Sequence, residues 1–127
     1  MATTSRQRPR SRAAGRGAVT AETAVVLPVL IAVAIGLAWV VSLGVAHVRV
    51  VDAARETARA LARDEQPAAA LSLGRRVAPQ GATISVQERT GTLVVTVSAE
   101  VRGPGGLFRF LPGVEVDAEA VAAKEQG

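Results

Sequence analysis

Between Ala24 and Ala46 the chain runs for 23 residues without a charged side chain. At about 1.5 Å of rise per residue this stretch makes a helix of roughly 34 Å, enough to cross a hydrocarbon core of about 30 Å. Five arginines, Arg6, Arg8, Arg10, Arg12 and Arg16, precede it with no acid among them. Arginine-rich flanks stay on the cytoplasmic side, so the N-terminus is expected in the cytoplasm and the residues after His47 outside. The apolar run is too long for a secretory signal's core of about 7–15 residues. Gly44-Val45-Ala46 also leads straight into a helical pattern rather than a cut.

Charge elsewhere is balanced. After His47 there are ten basic and ten acidic residues, so the net +4 is the five leader arginines less Glu22. The high isoelectric point therefore describes a topology signal, and no nucleic-acid partner is expected. With a long membrane helix set aside, about 60 residues remain for a second unit, which can bury only a modest core. Aromatic residues are few: Phe108 and Phe110, with Trp39 inside the apolar run. The chain has no cysteine, which removes disulfides and thiolate metal sites.

The pattern divides the chain into three stretches. Residues 1–17, polar and punctuated by Pro9, Gly15 and Gly17, are expected to be a disordered cytoplasmic leader. Residues 18–63 are expected to form one long helix, with the membrane span at about 24–46 and an amphipathic extension over 47–63. Pro28 lacks an amide hydrogen and crowds the carbonyl of Ala24, which predicts a kink there. In the extension Val51, Ala54, Ala58 and Leu61 form a narrow apolar face. Asp52 with Arg55 and Glu56 with Arg59 are spaced as i,i+3 ion pairs. That face suits either a helix covering its own domain or a rod packing against other subunits.

Residues 64–127 are expected to form a small α+β domain. Asp64-Glu65-Gln66-Pro67 ends the long helix, and Pro67 suits the first turn of a short second helix reaching about Val77. Three strands follow. Ile84 and Val86 alternate with polar residues, then Leu93, Val95, Val97, Ala99 and Val101, then Val114, Val116, Ala118 and Ala120. Thr90-Gly91 is a tight-turn candidate between the first two. This predicts a three-stranded antiparallel sheet with one apolar face, to be covered by the outer half of the long helix or by 68–77.

No catalytic set can be assembled. His47, the single histidine, lacks partners for catalysis or metal binding and suits a helix anchor at the membrane boundary. Glu115, Asp117 and Glu119 alternate along one strand as a solvated face, and Gly103-Pro104-Gly105-Gly106 lacks the lysine and helix of a phosphate loop. Phe108 and Phe110 suit either a sheet-edge cover or a docking tip. The expectation is a non-enzyme with no cofactor, no metal and no small-molecule substrate.

The most specific short pattern is Gly17-Ala18-Val19-Thr20-Ala21-Glu22, set between the basic leader and the apolar run. That placement resembles a type IV prepilin, a family whose peptidase cuts after the glycine, and a glycine lets a protease clasp the backbone closely. A cut after Gly17 would remove the five arginines and leave an amine on Ala18. Glu22 in the first turn favours the helix dipole. A carboxylate at the bilayer edge costs up to about 3 kcal/mol, which an amine from a neighbouring subunit could offset.

Here the chain resembles a type IV prepilin. Thr20 to Pro28, reading TAETAVVLP, is similar to the "TAE-x-A-V-x-LP" opening of TadE-like pseudopilins of the bacterial tight-adherence (Flp) pilus system. Val51 to Ala60, reading VDAARETARA, is similar to the "DAAREAAR" segment those proteins carry after the membrane helix; Asp52, Arg55, Glu56 and Arg59 supply its charges. The resemblance implies cleavage between Gly17 and Ala18 by a prepilin peptidase and a register role for Glu22. It also implies partners: membrane lipid, other pilin or pseudopilin subunits, and an inner-membrane assembly platform. The length of the chain favours a minor component over the much shorter major pilins. The alternative is an uncleaved single-pass membrane protein with a small partner-binding domain outside.

Overall fold

The computed structural model describes residues 12–104 and 112–124, with side chains from Gly15 onward. Arg6, Arg8 and Arg10 of the leader, and Phe108 and Phe110, lie outside the described residues. The element order is α1 (Arg12–Ala62), α2 (Pro67–Val77), β1 (Thr83–Arg89), β2 (Thr92–Val101) and β3 (Val114–Ala123). This is the expected α+β class. Two compact units divide the chain, Met1–Gly36 and Leu37–Gly127.

The first unit is the N-terminal part of α1. The helix begins at Arg12, inside the stretch expected to be disordered, so that expectation is corrected for residues 12–17. The apolar run directly downstream propagates helix backward, because each added residue costs less than a new nucleus. Thr20 and Thr23 return their hydroxyls to the carbonyls of Arg16 and Val19, at 2.8 and 2.9 Å, so neither competes with the helix. Pro28 lies inside α1 and does not end it.

In the second unit the long helix stops where a left-handed residue, Asp64 at φ 59°, turns the chain. Arg63 and Glu65 donate their amides back to Arg59 and Ala60, each at 3.2 Å. Pro67 opens α2 without forfeiting an amide. Ala78 closes it, donating to the Gly74 carbonyl at 2.9 Å just before Pro79. The sheet order is β1-β2-β3, all antiparallel. Thr90 and Gly91, at φ 45° and 78°, form the two-residue hairpin that pairs Arg89 with Thr92. Positive φ at both central residues matches the right-handed twist of the flanking strands.

Period-two alternation puts Ile84, Val97 and Ala118 in one cross-strand row and Val86, Val95 and Ala120 in the next. Val95 and Val97 are fully buried, together with Val50, Ala53, Thr57, Ala60 and Ala70 of the two helices. Both candidates for covering the sheet are thus used: the outer part of α1 and α2 enter the same core. The buried face of α1 is wider than the stripe read from the sequence. Ala46, Val50, Ala53, Thr57 and Ala60 form a second stripe beside Ala54, Ala58 and Leu61, whereas Val51 is only half-buried. The extra stripe meets α2, where a β-carbon on Gly74 would stand 3.1 Å from Ile84 and 3.4 Å from the Ala53 carbonyl, and would collide with the Thr57 hydroxyl.

Candidate functional site

The features singled out in the sequence fall on two exposed surfaces. The first surface belongs to the N-terminal unit. Gly17, Ala18 and Glu22 lie on the exposed helix, with Ala18 and Glu22 one turn apart on the same face. Among the described residues Glu22 has no ion-pair partner. Beyond it the apolar residues stand outward on every side: Val25 is 69% exposed, and Val26, Leu27, Val29, Leu30, Ile31 and Val33 are each at least half exposed. A helix apolar all round belongs in lipid or inside a larger assembly. Among the described residues one helix, α1, is long and apolar enough to cross a membrane, which fits a single-pass membrane protein.

The second surface is the back of α1 in the larger unit. Arg49, Asp52, Arg55 and Arg59 are exposed and Glu56 is half-buried, while the opposite face enters the core. The expected i,i+3 pairs do not close. The ion pairs among the described residues are Arg63–Glu65 at 3.1 Å, Lys124–Glu88 at 3.2 Å and Arg102–Glu100 at 3.7 Å. For Asp52 and Arg55 exposure accounts for this: water solvates each group as well as its neighbour would, and closing the pair costs side-chain entropy. Asp52, Arg55 and Arg59 therefore remain available to something outside the chain.

His47 is exposed, and Glu115, Asp117 and Glu119 stand exposed on β3. Among the described residues no group of acids and histidine is arranged to hold a metal ion. Trp39 is half-buried rather than open to lipid on all sides. Two residues central to the second unit escaped the sequence reading, Thr57 and Gly74. A polar residue and a glycine carry no hydrophobic signal, and only their closeness across two helices reveals their part.

Residues 17–59 match the model of a family described as TadE-like protein, about a third of the chain. The match opens on Gly17, ends on Arg59, and so takes in both exposed helix surfaces. No curated relative and no solved structure matches the chain.

Proposed function

We propose, from the premise that the chain is TadE-like over residues 17–59, that it is a minor pilin or pseudopilin of a Tad-type pilus or a related secretion machine. In this reading a prepilin peptidase cuts between Gly17 and Ala18, and the chain sits once in the cytoplasmic membrane with its α+β unit outside. The exposed apolar helix is then used twice, first against lipid and later against the helices of neighbouring subunits. Glu22 sets the register by meeting the new amine of an adjacent chain.

The observation that carries this reading is the pairing of Glu22, without an ion-pair partner among the described residues, with an uncovered apolar helix directly after it. A membrane anchor needs the apolar helix alone. A carboxylate at the edge of the bilayer is costly there unless a cation meets it. The role is structural, in assembly rather than in a chemical step.

The test is the intact mass and N-terminal sequence of the membrane-extracted protein, with and without the prepilin peptidase. A chain that starts at Ala18 only when the peptidase is present supports the reading. A chain that keeps Arg6 to Arg16 in both cases overturns it and leaves the uncleaved anchor.

A further inference from the structure

We propose that residues 105–111, which lie outside the described structure, cover the side of α1 that carries Trp39, Leu43 and Ala46, and so give the larger unit a second contact with the membrane surface beside the helix.

Exposure marks the face. Leu37 is 63% exposed, Val40 60%, Val41 66%, Val45 48% and Val48 57%. Between them Trp39 and Leu43 are half-buried, and Ala46 is only 7% exposed. These three recur at spacings of four and three, one side of a helix, and Val50 on the next turn of that side is fully buried in the core. The indole nitrogen of Trp39 is closed off from solvent. A lone helix leaves the outer edge of so large a side chain open, so another part of the chain shields this stripe. Leu37 and everything after it, the sheet included, form one compact unit.

The course of the sheet says which part. Gly74 stands close to Ala53 and Thr57 of α1 and to Ile84, and Ile84 shares a row with Val97 and Ala118. Further along, Arg55, Ala58, Arg59 and Ala62 line one groove with Ala120, Val121 and Ala122. β3 therefore advances in the same direction as α1. A strand rises about 3.3 Å per residue and a helix about 1.5 Å, so each strand residue passes roughly two helix residues. Counted back from Ala118, Val116 falls level with Val50, and Val114, with its partner Val101, falls level with Ala46. The chain thus leaves β2 and enters β3 beside Ala46, and the link between them starts toward Leu43 and Trp39.

The link has the reach and the chemistry. Residues 102–113 join the two strands, and half of them fully extended span at most about 20 Å. Trp39 stands about 10 Å before Ala46 along the helix. Leu107, Phe108, Phe110 and Leu111 make four of the seven residues 105–111 large and apolar, and include both phenylalanines of the chain. Arg109, between the phenylalanines, can raise its guanidinium to the headgroups while its stem stays low. The stripe lies on the apolar side of His47, so a segment covering it sits at the bilayer surface.

The test uses the full chain in phosphatidylcholine vesicles, where the lack of native cysteine makes cross-links unambiguous. Leu43→Cys is combined with Phe110→Cys. The control combines the same Phe110→Cys with Val41→Cys, on an open side of the helix. A disulfide needs α-carbons within about 7 Å, so under mild oxidation the first pair should close within one chain at roughly ten times the control yield. Equal yields overturn the proposal. A dimer formed through Leu43→Cys in place of the internal bond overturns it by giving the face to a second copy. No cross-link of either kind overturns it by leaving the face to lipid.

A second arm reads fluorescence, since Trp39 is the single tryptophan. In vesicles brominated on the upper acyl chain its emission should be quenched weakly, and Phe108→Ala with Phe110→Ala should raise the quenching by admitting lipid. Quenching that the two changes leave unaltered overturns the cover. Phe108→Trp in a Trp39→Phe chain should be quenched by the same lipid, and no quenching overturns the entry into the bilayer. The proposal rests only on the apolar run lying in a membrane. A leader that is never removed would sink the pilin reading and leave this one standing.

Discussion

Gly74 of α2 lies so close to Thr57 of α1 that no β-carbon fits between them. Thr57 is fully buried, and its hydroxyl donates to the Ala53 carbonyl at 2.8 Å, so it is satisfied without help from α2. Gly74→Ala should cost about 1–2 kcal/mol, overpacking offset in part by the better helix propensity of alanine. In a Thr57→Ala background the same change should come within about 0.5 kcal/mol of neutral, because the obstructing oxygen is gone. Thermal unfolding of the four proteins in detergent, followed by circular dichroism, gives the cycle. Additive losses would show that the two helices do not meet at this point.

The β1–β2 hairpin is built on an unfavourable residue. Thr90 holds φ 45°, a region where a β-branched side chain is strained, beside Gly91 at φ 78°. Thr90→Asn should stabilise the unit by about 0.5–1 kcal/mol, since asparagine before glycine suits this turn. Gly91→Val should cost about 1–2 kcal/mol for the same steric reason. Shifts in melting temperature of opposite sign are the expected readout.

Cleavage after Gly17 would have to act on a helix, since α1 already spans Gly15 to Ala18. If the peptidase needs an extended strand, the turn must open first. Gly15→Ala adds about 0.8–1.0 kcal/mol of helix propensity without meeting any neighbour, so cleavage should slow roughly four- to five-fold. A time course of leader loss in membranes measures it, and an unchanged rate would mean that opening is not part of the slow step.

Glu22→Ala should leave synthesis and membrane insertion intact and abolish incorporation into the fibre or machine. Glu22→Gln should resemble it, because the loss is of charge rather than shape. Cell fractionation set against pilus or secretion output distinguishes the two levels. Normal output from either variant would remove the register role.

Most elements were legible because their signals are local. Pro67 marks the start of α2, and strict alternation from Leu93 to Val101 marks β2 and its buried face. The family segment was legible in two blocks, around Glu22 and around Asp52 to Arg59, and the matched span contains both. What escaped was non-local. Thr57 and Gly74 have no apolar signal of their own. Ala53 looks indifferent until α2 is laid across it. The start of α1 was misplaced because glycine and polar residues weigh against helix locally, while the apolar run behind them decides the outcome. The ion pairs of Asp52 and Glu56 were suggested by spacing alone, and neither closes, Asp52 standing exposed to water.

Among the described residues, seven of the eleven buried apolar ones are alanines, at 46, 53, 54, 58, 60, 70 and 99. Alanine has no rotamers to freeze, so ordering these positions costs backbone entropy only. The core is held by contact between backbones and methyl groups rather than by interlocking long side chains. Such a core has few ways to jam: after a disturbance only a handful of valine and leucine rotamers must be found again before the layers close. A subunit drawn out of a bilayer and seated in an assembly would need that tolerance.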